Sequence, residues 1–179
     1  MRKPNAPTEA SLTIRPIRKA DLTALVALHL QFEAYLRRLD PHRKLEPLAA
    51  FRSRLVRDGF GKHRAFHGFI ALCNHNPVGY VFYHDGYDPD EMQGRVVYVI
   101  DLYVSDSQQR KGIGSDLMHA VASRCHRMKG IAVYFGVWDR NKGALSFYSR
   151  LGASHDPELL FFHWQDKQWK RLPRKRPRP

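Results

Sequence analysis

The chain shows two hydrophobic periods, and each period indicates one kind of secondary structure. Apolar residues at every second position, or in short runs bounded by turn residues, predict β-strands. The predicted strands are residues 12–17, 65–72, 77–88, 95–104 and 131–138, with two further strands around 153–155 and 159–164. Asn74, His75 and Asn76 stand between the second and third of these strands, which predicts a hairpin-like turn.

Apolar residues three or four positions apart predict helices. The predicted helices begin at Asp21 and end before Pro41, and then cover 46–57, 112–128 and 141–150. The two glycines of DGFG (58–61) suit the exit of the second helix. Because strands and helices are mixed along the chain without an internal repeat, the pattern predicts a single α/β domain over residues 12–166.

Composition is typical of one globular domain. The 179 residues are 43% hydrophobic, and no apolar run approaches the roughly 18 residues of a membrane helix. The opening MRKPNAPTEASLTIRP has basic residues but no apolar stretch behind them, so no signal peptide is expected. Cys73 and Cys125 have no metal-type spacing, so reduced core thiols in a cytoplasmic protein are the simpler interpretation. The short apolar runs predict no membrane partner.

Positive charge is concentrated near the ends of the chain. The formal net charge is +13, and residues 167–179 alone hold seven basic residues and no acid. We therefore expect a flexible arm at residues 1–11 and a basic, disordered tail at 167–179. Such a tail can contact nucleic acid through its phosphates, although a solvated tail explains the same composition more simply.

A glycine pair follows the fourth predicted strand, in IDLYVSDSQQRKGIGSDLM (100–118). A strand, a glycine-rich turn and a helix N-terminus make an anion site, because free N–H groups converge there and the helix dipole adds to them. A P-loop would need a Lys-Ser/Thr pair at its final glycine, but Ser115 and Asp116 follow Gly114. A dinucleotide fingerprint would need a small residue where Leu117 stands.

The third interpretation is the pattern Gln/Arg-x-x-Gly-x-Gly/Ala, which suits a pyrophosphate. Its members here are Gln109, Arg110, Lys111, Gly112, Ile113 and Gly114. The glycines let the backbone approach the phosphates, and the two basic residues add positive charge beside them. A glycine turn that only caps a helix has the same local sequence, so a second motif must decide.

The second motif is VWDRNKGALSFYSRLGA (137–153). Asn141 lies near the predicted helix start, and Ala144 and Tyr148 follow on the same face. Small residues on this face leave room for a slim ligand, and Tyr148 adds a phenol. Asp101 is the most informative acid, because a carboxylate inside an apolar strand costs free energy unless it meets a cation or donors.

Other chemistries find less support in the sequence. The histidines, ten in all, have no metal-ligand spacing with an acid partner, so no metal is expected. The chain also has no Gly-x-Ser-x-Gly elbow of the kind that hydrolases use.

The order and spacing of IRPIRKAD, QQRKGIG and N…A…FY…LGA resemble the GNAT superfamily of acetyl-CoA-dependent N-acetyltransferases over residues 12–165. DGFG, FHGFIAL, VGYVFYHDGYDP and IDLYV are most similar to its diamine branch, with spermidine/spermine-like and thialysine-like members. The resemblance implies a mixed, mostly antiparallel sheet flanked by helices, and a homodimer. It also implies acetyl transfer from acetyl-CoA to an amine by direct attack in a ternary complex.

The resemblance further implies roles for individual residues. Acetyl-CoA would be bound by Leu102, Tyr103, Val104, Gln109, Arg110, Lys111, Gly112, Ile113, Gly114, Ser115, Asn141, Ala144 and Tyr148. The strand residues would pair with the pantetheine in a gap beside the strand, and the loop would hold the pyrophosphate. Tyr148 would protonate the leaving thiolate, and Asp101 would hold the amine or relay its proton. Arg150 could reach a phosphate or lie on the surface.

The acceptor is the least determined part of this hypothesis. The diamine branch carries acids at the positions of Ile100 and Leu36, where a polycation would need carboxylates. A smaller amine or an amino acid side chain is therefore favoured over spermidine or spermine. The acids that could compensate are Glu33, Asp85, Asp88 and Glu91. Acetylation of a protein N-terminus or lysine, and a non-catalytic acetyl-CoA sensor, remain as alternatives.

Overall fold

The structure is built on one mixed sheet. The computed structural model describes residues 11–88 and 94–155. The strands are β1 (Leu12–Pro16), β2 (His67–Cys73), β3 (Asn76–Asp88), β4 (Gly94–Val104) and β5 (Ala132–Phe135). They lie side by side in chain order, with β1 to β4 antiparallel and β5 parallel to β4. The predicted mixed, mostly antiparallel sheet is confirmed.

Helices cover both faces of this sheet. They are α1 (Leu22–Leu39), α2 (Leu48–Arg54), α3 (Ile113–Arg127) and α4 (Lys142–Arg150). The first two bury Leu25 and Phe51 against one face, and α3 buries Leu117 and Val121 against the other. No helix among the described residues combines the length and the apolar character that crossing a membrane requires.

The bounds of most elements agree with the hydrophobic pattern within a few residues, and α2 shows a first difference. The predicted helix 46–57 begins only at Leu48, because Pro47 occupies the N-cap position and its carbonyl accepts the first helical hydrogen bond, from Phe51. Its last part, Leu55–Gly59, widens into a π-helical turn. The predicted hairpin turn is present at Asn74 and His75, whose φ angles are 48° and 65°.

Two further strands are predicted towards the C-terminal end of the domain. The predicted strand around residues 153–155 is wrong for those residues, which form no strand. The amide of Ala153 instead donates to the carbonyl of Tyr148 and closes α4, with Gly152 in the left-handed region at φ 82°. The predicted strand at 159–164 lies outside the described residues.

The start of α1 is fastened to β1 by the acid of the IRPIRKAD motif. Both carboxylate oxygens of Asp21 accept from the Arg15 guanidinium at 2.7 Å, and one also accepts from the amide of Arg18. These bonds hold the pKa of Asp21 below its usual value. Helix α1 therefore leaves β1 at a fixed angle, and its later turns lie over the centre of the sheet.

A β-bulge in β4 decides which way Asp101 faces. Tyr83 pairs with Val99 and Phe82 pairs with Asp101, so Ile100 is an extra residue without a direct partner. Directly paired residues share a face, and Phe82 belongs to the core beneath α1. Asp101 therefore faces the α1 side, whereas simple alternation after Val99 would place it on the α3 side.

Strands β4 and β5 pair only over the first half of β4. Their pairing begins at Val96 and ends at Val99 opposite Phe135, yet β4 continues to Val104. The predicted strand 131–138 accordingly ends at Phe135, because residues 136–138 pair with no strand in the described part of the chain. The separation leaves the β5-facing edge of β4 beside an open gap.

Candidate active site

The gap between β4 and β5 opens into a cavity of about 920 Å³. Its walls come from α1 with Arg43, from the end of β4 with the glycine loop, and from residues 135–138 with α4. The predicted site residues that line it are Asp101, Leu102, Tyr103, Val104, Gln109, Arg110, Gly112, Gly114, Ser115, Asn141, Ala144 and Tyr148. Three segments distant in sequence therefore meet around one space.

The glycine loop forms the part of the cavity wall where α3 begins. Arg110 and Gly112 have φ angles of 63° and 85°, so the chain turns sharply and Gly112 becomes the N-cap of α3. A Cβ atom at Gly112 would meet no other atom within 4 Å, which leaves its backbone open to a ligand. The first N–H groups of a helix lack intrahelical partners, and here they accompany the positive end of a 15-residue helix.

Three members of the loop motif have side chains engaged elsewhere. Lys111 donates to the side chain of Gln108 at 3.0 Å, and Ile113 is packed in the core under α3, so neither lines the cavity. The amide of Gln109 donates to the carbonyl of Val104 at 3.0 Å. This bond holds the loop against the end of β4, so the Gln109 side chain has a structural role.

Asn141 connects α4 to α1. Its side-chain oxygen accepts from the amide of Ala144 at 3.0 Å and from the hydroxyl of Tyr35 at 2.8 Å. Both bonds use the oxygen, and the side-chain NH₂ makes no hydrogen bond with the described residues, so it remains available to a ligand carbonyl. The part played by Tyr35 was missed at the sequence level, because the two residues are 106 positions apart.

Tyr148 lies half-buried beside the gap. Its ring stacks on Phe135 with a centroid distance of 4.2 Å and meets Phe147 edge-on at 4.9 Å. Burial, with a smaller effect of the Asp101 charge, raises the pKa of Tyr148 to about 12. The phenol is therefore protonated at neutral pH and able to donate a proton. Arg150 also lines the cavity and donates to the hydroxyl of Ser146 at 2.6 Å.

Asp101 is the acid at the other end of the cavity. It is half-buried and makes no hydrogen bond with any described residue. Burial raises the pKa of Asp101 to about 6, an effect that Arg54 and Arg43 oppose and Glu33 and Glu46 reinforce. The carboxyl group therefore changes its charge close to neutral pH, which suits a group that accepts a proton from an amine.

Two glutamate–arginine pairs lie next to Asp101. Arg43 donates through Nε and Nη2 to Glu33, at 3.2 and 3.0 Å, and Arg54 binds Glu46 in the same way. The ring of His29 lies between them. Its Nε2 atom is 3.7 Å from each carboxylate and has no hydrogen-bond partner among the described residues. Burial lowers the pKa of His29, so the ring is neutral at physiological pH.

The acids that could replace the missing carboxylates of the diamine branch lie elsewhere. Glu33 is bound by Arg43, Asp85 pairs with Arg124 at 2.6 Å, and Asp88 accepts from Tyr134 at 2.6 Å. Asp85 and Asp88 do not line the cavity, and Glu91 lies outside the described residues.

Leu36 and Ile100, which stand where the branch has acids, both line the cavity. Asp101 is thus the one carboxylate that the described part of the chain contributes to the wall. Within residues 11–88 and 94–155, no group of three His, Cys, Asp or Glu side chains is placed to hold a metal ion.

The order of elements and the cavity between two separated parallel strands define a class of acetyl-transferring enzymes. The chain belongs to the acetyltransferase (GNAT) family, whose family model matches residues 28–153. The resemblance inferred from the motifs, including the diamine branch, is confirmed by two curated relatives. Thialysine N-epsilon-acetyltransferase of Sus scrofa is 30% identical over 164 residues, which cover 86% of this chain and 91% of that protein.

The second relative shares a shorter segment. Spermidine/spermine N(1)-acetyltransferase-like protein 1 of Homo sapiens is 31% identical over 111 residues, which cover 55% of this chain and only 15% of the human protein. Among solved structures, an aminoglycoside N-acetyltransferase in complex with CoA superposes with a TM-score of 0.72 over 90% of this chain and 100% of its own. Its identity is 16%, so it shows that the fold is shared.

Proposed function

We propose that this protein transfers the acetyl group of acetyl-CoA to a primary amine of a small molecule, by direct attack in a ternary complex. The observation that carries the proposal is the cavity between β4 and β5, with an anion-binding helix start at one end and Asp101 and Tyr148 at the other. A long ligand with phosphates at one end and a reactive carbonyl at the other suits such a space.

The fit to acetyl-CoA is supported by the donors along the gap. Beyond Val99 the β5-facing edge of β4 has no strand partner among the described residues, so the backbone around Leu102, Tyr103 and Val104 can pair with the amides of a pantetheine arm. The open backbone at Gly112 and the positive charge of Arg110 suit the pyrophosphate. The related aminoglycoside N-acetyltransferase was itself solved with CoA.

The reaction needs two proton transfers, and one group is available for each. The amine nitrogen attacks the thioester carbon, the new C–N bond forms, and the C–S bond breaks. For an acceptor that arrives as an ammonium ion, Asp101 first passes one proton to solvent, which gives the neutral amine. Asp101 then accepts the proton that the attacking nitrogen loses, directly or through water, and Tyr148 donates a proton to the departing thiolate. Exchange of protons with solvent then returns both groups to their initial states.

The amine acceptor is supported by the named relatives. The porcine relative is a thialysine N-epsilon-acetyltransferase and the human one is spermidine/spermine acetyltransferase-like, and both names specify amine acetylation. The cavity itself adds one carboxylate beside the reaction centre. Homodimerisation, cytoplasmic location and the division into an arm at 1–11, a domain at 12–166 and a tail at 167–179 stay predictions.

The direct test is CoA release from acetyl-CoA with a panel of acceptors. The panel contains spermidine, spermine, putrescine, thialysine, lysine, small aminoalkyl compounds and a basic peptide. Turnover of a small amine supports the proposal. Turnover restricted to the peptide would favour protein acetylation instead, and tight acetyl-CoA binding without any turnover would favour a sensor.

A glycine substitution tests the cofactor end separately. Gly112→Ala is expected to lower the free energy of unfolding by about 1 kcal/mol, because φ 85° is strained for alanine. It should also raise the Kd for acetyl-CoA about tenfold, since the added methyl group points into the space open to the phosphates. Calorimetric titration measures the Kd, and thermal unfolding measures the stability.

Gly152→Ala is the matched control for this experiment. Gly152 has φ 82° and equally open surroundings, but it follows α4 and does not line the cavity. Its substitution should cost similar stability and leave the Kd within about twofold. Equal losses of affinity in both variants would contradict a phosphate site at Gly112.

A further inference from the structure

We propose that the acceptor carries a carboxylate, which Arg43 binds while the amine of the same molecule meets Asp101. This inference rests on the proposed function and specifies its substrate as an amine with an acid group, such as an amino acid with a side-chain amine. The end of the cavity around Asp101 is here called the acceptor end. The inference is carried by the one arginine, the one acid and the apolar side chains that the described residues contribute there.

Arg43 is the cation at this end, and its guanidinium is held in a defined position. Its Nε and Nη2 donate to Glu33, whose side chain is only 6% exposed, and its Cζ atom lies over the Trp138 ring, 5.4 Å from the ring centroid. Nη1 makes no hydrogen bond with the described residues. The edge of the guanidinium that carries Nη1 therefore stays free in the cavity. Because Glu33 already fixes the side chain, this edge can bind a carboxylate with little further loss of side-chain entropy.

The same geometry disfavours a second ammonium group. Glu33 is the nearest buried acid to Asp101 on α1, but its two oxygens already accept the two bonds from Arg43. Leu36 and Ile100 contribute only apolar surface. A diamine would therefore bring its second positive charge towards Arg43 without an opposing carboxylate, which costs free energy in a partly desolvated space.

Matched pairs of acceptors test the inference, because each pair differs only by a carboxylate. The pairs are 4-aminobutyrate with propylamine, ornithine with putrescine, and lysine with cadaverine, and lysinamide adds a neutral carbonyl group of similar size. In the wild-type protein, kcat/KM for the acid-bearing member is expected to exceed that of its partner at least tenfold in the pair whose length fits the cavity.

Substitutions assign this preference to Arg43. Arg43→Gln frees the carboxylate of Glu33, so the preference should reverse towards putrescine and cadaverine. The double variant Glu33→Gln/Arg43→Gln removes both charges and avoids an unpaired buried acid. Its KM for the acid-bearing amine should rise at least tenfold, while kcat/KM for propylamine, which has no second charge, stays within about twofold.

Arg140→Gln is the charge-matched control. Arg140 lies over the same Trp138 ring at 5.8 Å but pairs with Asp40 and does not line the cavity. This variant should keep the wild-type preference, which separates a bound carboxylate from a general effect of positive charge. Thermal unfolding of each variant verifies that it is folded.

The remaining outcomes are distinct from one another. If decarboxylated amines and lysinamide are equal or better acceptors in every pair, or if the double variant lowers both members of a pair alike, the inference is wrong and the proposed function stands. If a protein that binds acetyl-CoA acetylates no amine at all, the proposed function and this inference both fail.

Discussion

Tyr148→Phe is expected to lower kcat about 100-fold or more, with the Kd for acetyl-CoA within about twofold of the wild type. The substitution removes one hydroxyl and leaves the ring stacked on Phe135, so the shape of the cavity is preserved. What is lost is the proton that the departing thiolate would receive. A positioned general acid contributes about 10² to 10⁴ in rate.

The measurement is single-turnover CoA release at saturating acetyl-CoA and amine, so that product release does not hide the chemical step. Tyr98→Phe is a suitable control, since Tyr98 lies on β4 outside the cavity and stacks on His84 and Tyr134. It should retain the wild-type rate. Near-normal turnover by Tyr148→Phe would show that the thiolate leaves without this phenol.

Asp101→Asn is expected to lower kcat/KM for the amine about 100-fold at pH 7. The wild-type carboxylate accepts the proton of a substrate that arrives as an ammonium ion, and an amide cannot. The variant therefore depends on the small neutral fraction of an amine whose own pKa is about 10. Asp85→Asn, on β3 outside the cavity, serves as the control with unchanged activity.

The pH dependence makes this prediction specific. With the pKa of Asp101 at about 6, the wild-type log kcat/KM should rise with a slope near one up to pH 6 and then level off. In Asp101→Asn it should continue to rise until the amine itself loses its proton near pH 10. The ratio of wild-type to variant kcat/KM should therefore fall as the pH increases. Parallel profiles would contradict a role for Asp101 in accepting the proton.

Asp101→Asn is expected to raise the stability of the protein at neutral pH, although it lowers the activity. A carboxyl group whose pKa is raised in the folded protein contributes stability that is fully present below about pH 4 and is lost as the pH rises through about 6. At pH 7 the buried charge is a cost, so Asp101→Asn should raise the free energy of unfolding by about 1 to 2 kcal/mol. Thermal unfolding of both proteins at pH 4 and pH 7 measures the change, and the gain should vanish at pH 4.

Most secondary structure followed from the sequence because it depends on local spacing. The periods of two and 3.6 located β1 to β5 and α1 to α4 within a few residues. Two exceptions have local causes that the hydrophobic period does not reveal. Pro47 delayed the start of α2, and Gly152 with Ala153 closed α4 where a strand was expected.

Part of the candidate site also followed from local order. The glycine loop and the start of α3 are adjacent in sequence, and Asn141, Ala144 and Tyr148 share one face of one helix. The members of each group therefore come together whenever their own element forms. The motif did not reveal that Lys111 and Ile113 would point away, because side-chain direction in a turn depends on its φ angles.

Only the tertiary structure decided how the acceptor end is built. The bulge at Ile100 turned Asp101 towards α1, although alternation alone assigns it to the other face. Arg43 came to lie in the cavity because Glu33, a buried acid on α1, binds its guanidinium. Strand register and contacts between distant elements depend on how whole surfaces pack. By itself the sequence determined the elements and the glycine loop, whereas packing determined which charges line the cavity.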